Sequence, residues 1–213
     1  TEKTTYEDIA FPQSVHIVKD TFRRAKSGLF YPPHKAFDKV ILQKTIDYVV
    51  DNPVAGKTAF MFAAGSQGWM GTSGRYDRNI EAELHYKTKI PFLTLTNIYA
   101  GRIASMFHVH DHVSTDASAC ASGLKVLMDM QNLFWHYGFD RVIVMAGEDS
   151  VCIPSLEFFG DAKASIQLSE EPERKPSAFD STNTGFHVGQ GAALAVFEKE
   201  HAGMSEPMAK FLG

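Results

Sequence analysis

Residues Thr58-Ala59-Phe60-Met61-Phe62-Ala63-Ala64 form an unbroken apolar run bounded by polar and glycine-containing sequence. Seven residues is the length of a strand, and the lack of alternation predicts that both of its faces are covered, as in the centre of a parallel sheet. Val142 to Met145 repeats the pattern further along the chain. Helical periodicity flanks these runs. From Phe37 to Val50, residues Val40, Ile41, Leu42, Ile46, Val49 and Val50 form a wide apolar face, and Asp51-Asn52-Pro53 stops it. Buried strands alternating with amphipathic helices define a layered α/β core. The 213 residues suffice for one substantial domain that buries about 70% of its unfolded surface.

The stretch with chemical character is Ser118-Ala119-Cys120-Ala121-Ser122-Gly123-Leu124. A strand-like run, Val113 to Ala117, precedes it. Behind it Leu124, Leu127, Met128, Phe134 and Trp135, with the polar Gln131, recur at the period of a helix that Gly138 ends. A strand, a tight turn of small residues and a helix therefore place a thiol at the bend. The first turn of a helix leaves backbone N–H groups unpaired, and their dipole favours a thiolate there, so Cys120 is predicted to be a nucleophile. The small neighbours leave room for a nucleophile elbow and for a substrate's approach. A buried, inert structural cysteine is the competing reading.

Bulk properties restrict the function classes. The composition, 44% hydrophobic and 22% charged, is that of a soluble globular chain, and a formal net charge of −4 argues against a nucleic-acid or anionic-membrane binder. No apolar run approaches the roughly 20 residues of a membrane span, and Thr1-Glu2-Lys3-Thr4 is not a signal peptide. Two cysteines, Cys120 and Cys152, cannot build a disulfide scaffold, and a reactive thiol needs a reducing compartment, so the expected location is the cytoplasm.

Other features carry weaker chemistry. Residues 1–12 read as an N-terminal arm and 13–213 as the domain, beginning with a helix from Ser14 to about Lys26 and followed by a turn at Tyr31-Pro32-Pro33. Gly65-Ser66-Gln67-Gly68-Trp69-Met70-Gly71 lacks the spacing of a phosphate loop and reads as a strand-to-helix turn. Asp77 to Lys87 is a solvated, charged helix. His108-Val109-His110-Asp111-His112 suggests a metal site on a strand. Imidazoles two residues apart can span more than one ion tolerates, which favours a polar approach to the strand, with no metal. Glu148-Asp149 lies at a strand's carboxyl end, a common place for catalytic acids and equally for a hydrogen-bonded turn. Residues 152–175 read as a loop-rich connection, Ala192 to Phe197 as a strand, and Met208 to Leu212 as the possible beginning of another.

Four segments, in order, carry a family resemblance: Asn97-Ile98-Tyr99-Ala100-Gly101-Arg102-Ile103-Ala104; Ser118-Ala119-Cys120-Ala121-Ser122-Gly123; Val142 to Glu148; and Pro176-Ser177-Ala178-Phe179-Asp180 followed by Gly185-Phe186-His187-Val188-Gly189-Gln190-Gly191-Ala192-Ala193. Together they resemble the N-terminal half of the β-ketoacyl-acyl-carrier-protein synthases, in the thiolase-like superfamily. The resemblance implies an αβα half, with a mixed, mostly parallel sheet between helices, of a layered αβαβα architecture whose C-terminal half is absent here. It implies that Cys120 accepts an acyl group from a carrier-protein thioester before a decarboxylative Claisen condensation with malonyl-carrier protein, in fatty-acid or polyketide synthesis, without a cofactor. The family's two catalytic histidines belong to the other half, and none of the nine histidines here matches their motifs. The implied partners are acyl carrier protein, a thiolase-like subunit in a homo- or heterodimer, and a chain supplying the C-terminal half.

The sequence departs from the family at three places. The usual apolar opening strand with glycines is not found, Asp111-His112 replaces a Gly-Pro turn, and Asp116 stands in a strand the family keeps apolar, either buried with a partner or touching a second subunit. The resemblance favours a structural turn at Glu148-Asp149. The small residues Ala100, Gly101 and Ala104 would allow tight packing beneath the cysteine turn, and Asp180 with the glycines at 185, 189 and 191 suits a loop that doubles back close to it. Two alternatives remain: a non-catalytic ketosynthase-like partner subunit or scaffold, and an unrelated cysteine hydrolase.

Overall fold

The computed structural model describes residues 39–65, 95–150, 153–166 and 179–200, together with Pro207 and Ala209. Helix α1 (Lys39–Asp51) leads into strand β1 (Lys57–Ala63). Helix α2 (Thr96–Met106), strand β2 (His112–Asp116), a 3₁₀ turn (Ala119–Ala121) and helix α3 (Ser122–His136) follow. Strand β3 (Phe139–Asp149), helix α4 (Ile153–Asp161) and strand β4 (Gln190–Glu198) complete the described elements. The expected arm at 1–12, the helix from Ser14, the turn at Tyr31, the charged helix from Asp77 and Cys152 lie outside the described residues.

The strands form one mixed sheet in the order β2-β1-β3-β4. β1 pairs in parallel with β2 (Ala59 with His112, Ala63 with Asp116) and with β3 (Ala59 with Val142, Ala63 with Ala146). β4 runs antiparallel to β3, with Asp149 opposite Gln190. The run at 58–64 is thus the central strand, and its two faces feed two separate cores. Phe60 and Phe62, with Ile143 and Met145, pack against Leu42, Ile46 and Val49 of α1 and Ala100, Ile103 and Ala104 of α2. Ala59, Met61 and Ala63, with Val142 and Val144, pack against Val126, Met130 and Leu133 of α3. Helices on both faces bury the strand, which is why its sequence does not alternate.

Ala100 and Ala104 therefore lie on the side of the sheet away from α3, and a Cβ on Gly101 would meet nothing within 4 Å. The small-residue face packs on the sheet rather than directly under the cysteine turn. The connection after β3 also differs from the sequence reading, since Ile153–Asp161 is a helix. Its buried Ser155 and Leu156 stand one turn ahead of Phe159, whose ring meets Phe186 edge-on at 5.1 Å.

That contact explains one glycine. Phe186 forms an isolated parallel bridge with Ser165, donating its N–H to Ala164 O at 3.0 Å and accepting from Ile166 N at 3.1 Å. Gly185, at φ +151°, passes so close that a Cβ would lie 2.6 Å from Ala164 O and 2.9 Å from Ile166 N. The close approach is to residues 164–166, not to the cysteine turn. Gly185→Ala should destabilise the fold by about 2–3 kcal/mol, because backbone rather than a movable side chain blocks the methyl group. A lower urea midpoint at unchanged slope would register it.

Candidate functional site

The carboxyl ends of β1, β2 and β3 converge on the segment that joins β2 to α3. The last rung between β1 and β2 is the bond from Ala64 N to Asp116 O, at 3.0 Å. Beyond Asp116 the chain turns sharply. Asp116 Oδ1 accepts the Ser118 N–H at 2.8 Å, Ala121 N donates to Ser118 O at 3.1 Å, and Ser122 Oγ donates to Ala119 O at 2.7 Å. Ala119 takes φ +50°, the left-handed region, at a cost of about 1–2 kcal/mol for a residue with a Cβ. Strain next to a reactive group is a recurrent property of functional turns.

Cys120 follows this strained residue. It is a free, exposed thiol in the 3₁₀ turn that leads into α3. No side chain caps the first turn of α3, and the preceding 3₁₀ turn takes up the N–H groups of Ala121 and Ser122 on Ser118 O and Ala119 O. The sulfur is therefore at the start of a 15-residue helix and open to solvent, rather than packed in hydrocarbon.

Asp116, the polar residue in a strand expected to be apolar, is held within the chain. Its side chain is only 12% exposed and meets Lys125 Nζ at 3.4 Å, while Lys125 also binds Asp129 at 2.7 Å, one turn along α3. Hydrogen bonding from Ser118, followed by Lys125, holds the Asp116 carboxyl below its ordinary value of 3.8. Asp129 and then Asp116 raise Lys125 above 10.5. Both shifts give the turn a defined pH response. The lowered Asp116 adds stability that is present above pH 3.8 and is lost as pH falls through its folded value. The raised Lys125 adds stability that is present below pH 10.5 and is lost as pH rises through its folded value. Urea melts of the parent and Asp116→Asn between pH 5 and 2 should show a shallower acid decline in the variant.

Glu148 reaches into the same convergence. Its Oε1 accepts the Gly65 N–H and its Oε2 accepts Ser150 Oγ at 3.3 Å. Gly65 in turn is backed by Ala119: a Cβ built on it would lie 3.5 Å from Ala119 Cα. Nothing in the sequence links positions 65, 119 and 148, and the register of three strands brings them together.

Other sequence candidates lie elsewhere. Of the clustered histidines only His112 is in a strand, while His108 and His110 are exposed in the link from α2 and Asp111 accepts the Thr58 N–H at 2.8 Å. Among the described residues no group of three or more His, Cys, Asp or Glu could hold a metal ion. None of the described histidines hydrogen-bonds to Cys120. Asp180 is exposed and closes its own turn, accepting Thr182 N and Oγ1 at 2.8 Å each. A cleft of about 490 Å³, lined by His112, Ser114, Asp129, Asn132, His136 and Tyr137 among others, opens between β2 and α3. It lies toward the C-terminal end of α3, a helix about 22 Å long, and so is remote from Cys120.

The helix that carries the thiol has an unusual cross-section. Ser122, Val126, Met130 and Leu133 are buried against the sheet. Leu124, Met128 and Trp135, on the opposite side of the helix, are 66%, 59% and 67% exposed. Lys125, Asp129, Asn132 and His136 form a polar flank between them, beside β2. The periodicity that locates this helix therefore runs largely along its exposed face.

Comparison with known proteins places this geometry. The family model "Beta-ketoacyl synthase, N-terminal domain" matches residues 49–202, which include the cysteine turn and the four described strands. The chain belongs to the β-ketoacyl synthase family. A 3-oxoacyl-[acyl-carrier-protein] synthase 2 of Rhizobium meliloti is 29% identical over 110 residues, covering 51% of this chain and 26% of that protein. Among solved structures, a ketosynthase/chain length factor for ishigamide aligns over 97% of this chain and 56% of its own with a TM-score of 0.61 at 14% identity. A type II polyketide acyl-carrier protein in complex with its ketosynthase aligns over 76% and 44%, with a TM-score of 0.56 at 18% identity. The match thus spans about a quarter of that synthase and about half of the two structures. These likenesses give the fold as thiolase-like, a ketosynthase half with helices on both sides of a mostly parallel sheet. No described helix is long and apolar enough to cross a membrane.

Proposed function

We propose that this chain is the nucleophile-bearing half of a β-ketoacyl synthase and that Cys120 is its acyl acceptor. The observation that carries the reading is an exposed thiol at the start of α3, behind a left-handed residue, in a chain of this family. The thiolate attacks the carbonyl of an acyl thioester on a carrier protein. The C–S bond to the carrier breaks, and the carrier's sulfur leaves with the electron pair and a proton from solvent. Malonyl-carrier protein then loses carbon dioxide, and the carbanion attacks the acyl-cysteine, releasing Cys120 as thiolate and a 3-ketoacyl product. Condensation needs donors that stabilise negative charge on the thioester oxygen, which the family takes from histidines of its other half.

Helix α3 supports that division of labour. A helix apolar on opposite faces belongs between two layers, and here only one is covered by the sheet. A second thiolase-like half seated on Leu124, Met128 and Trp135 would make α3 a middle layer and bring its histidines toward the carboxyl end of the sheet. The reading includes acyl carrier protein and a dimer-forming thiolase-like subunit as partners, and the cytoplasm as the compartment in which a free surface thiol stays reduced.

The ketosynthase/chain length factor likeness favours a second reading, a non-condensing partner subunit. Retention of an exposed cysteine at the turn argues for the first. Mapping adducts by mass spectrometry after incubation with an acyl thioester separates them. Acylation at Cys120 and not at Cys152 supports the acyl acceptor. Acylation at neither, with a second thiolase-like chain present, supports the partner subunit. Release of free acid without carrier-dependent condensation supports a hydrolase.

A further inference from the structure

We propose that Glu148 is a positioning residue for Cys120, acting through Gly65 and Ala119. The inference deepens the acyl-acceptor reading, because it matters for function only if Cys120 reacts. In a parallel ladder successive N–H groups of a strand point alternately to its two neighbours. Ala64 N bonds Asp116 O of β2, so the next N–H, that of Gly65, faces β3, whose last backbone pairing with β1 is Ala63 with Ala146. The Glu148 carboxylate supplies the acceptor that the ladder no longer provides, and Ser150 Oγ steadies its second oxygen. A side-chain bond thus fixes the end of β1, on which the turn rests.

The fixed residue is the one that backs the strained position. A Cβ on Gly65 would come within 2.8 Å of Glu148 Oε1 and meet Ala119 Cα in ordinary contact at 3.5 Å, so Gly65 lies between the clamp and the turn. Ala119 at φ +50° is strained, so a shift of Gly65 would let it relax, and a rotation there re-aims Cys120, the next residue. The strand-end acid is therefore neither a proton donor nor a passive turn. It maintains the thiol's orientation from the neighbouring strand.

The test is the rate of Cys120 alkylation by iodoacetamide at pH 7 in the full chain, followed by peptide mass spectrometry with Cys152 as the internal reference. Glu148→Ala should slow Cys120 roughly tenfold relative to Cys152, whereas Glu148→Gln, which keeps an oxygen for the Gly65 N–H, should restore most of the rate. Gly65→Ala, which displaces the carboxylate without removing it, should reproduce the alanine effect, and it decides the matter where Glu148→Ala does not fold. Parent-like Cys120 rates in folded Glu148→Ala, or in Gly65→Ala, overturn the proposal, as does a glutamine variant as slow as alanine. Because alkylation needs no acyl chemistry, a Glu148 effect without any thioester transfer by the parent, with a second thiolase-like chain present, would sink the acyl-acceptor reading and leave the positioning intact.

Discussion

On the proposed acyl-acceptor reading, Cys120→Ala should abolish acyl transfer from a thioester onto the chain, a fall of roughly a thousandfold or more, because the thiol is the group that would form the covalent intermediate. Cys120→Ser falls almost as far, since a hydroxyl at neutral pH is a far weaker nucleophile than a thiol at a helix start. The fold should be unaffected. The residue is exposed, and substitutions at such positions normally move stability by no more than about 0.5 kcal/mol. Acylation assayed with carrier-bound substrate, alongside thermal melts of both variants, checks the two statements together. Transfer at the parent rate in a folded alanine variant would remove Cys120 from the chemistry.

The largest effect on stability belongs to Arg141, which is 2% exposed inside β3. Its Nε binds Glu198 Oε1 of β4 at 2.5 Å, and its guanidinium donates to Val49 O of α1 at 3.0 Å and to Asn52 O in the following loop. Tyr48 closes the group, donating its hydroxyl to Glu198 Oε2 at 3.0 Å with its ring centre 6.0 Å from the guanidinium carbon. One side chain thus ties α1, its loop, β3 and β4 together. Arg141→Met should cost about 3–5 kcal/mol, because it leaves a carboxylate with a 3% exposed side chain facing a methionine and strands two carbonyls. The double variant Arg141→Met/Glu198→Leu should recover part of that loss, since the unpaired charge goes with it. Urea unfolding of the three proteins measures both differences, and a single variant within about 1 kcal/mol of the parent would show that the pair is dispensable.

Much of this organisation was legible from residue order alone. A seven-residue apolar run without alternation had to be a central strand, and β1 is one, with α1 and α2 on one side and α3 on the other. The small residues around Cys120, set between a strand and a helical period, located the turn and its thiol, because bends and helices are encoded by neighbours in sequence. Gly138, at φ +69° just past α3, was readable for the same reason. The apolar period of α3 found the helix but not its buried face. Both sides are apolar, and only the sheet's position selects Val126, Met130 and Leu133 over Leu124, Met128 and Trp135.

Local sequence thus determined which segments are strands, where the chain bends and that a thiol stands at the bend, since each depends on backbone preference and side-chain spacing within a few residues. Tertiary structure alone decided that Asp116 is neutralised by Lys125 across the turn, that Glu148 reaches the end of a strand 83 positions earlier, and that Ala119 is held left-handed. Those facts arise from the register of three parallel strands, which brings their carboxyl ends to one place, and no pattern along a single segment records which residues will meet there.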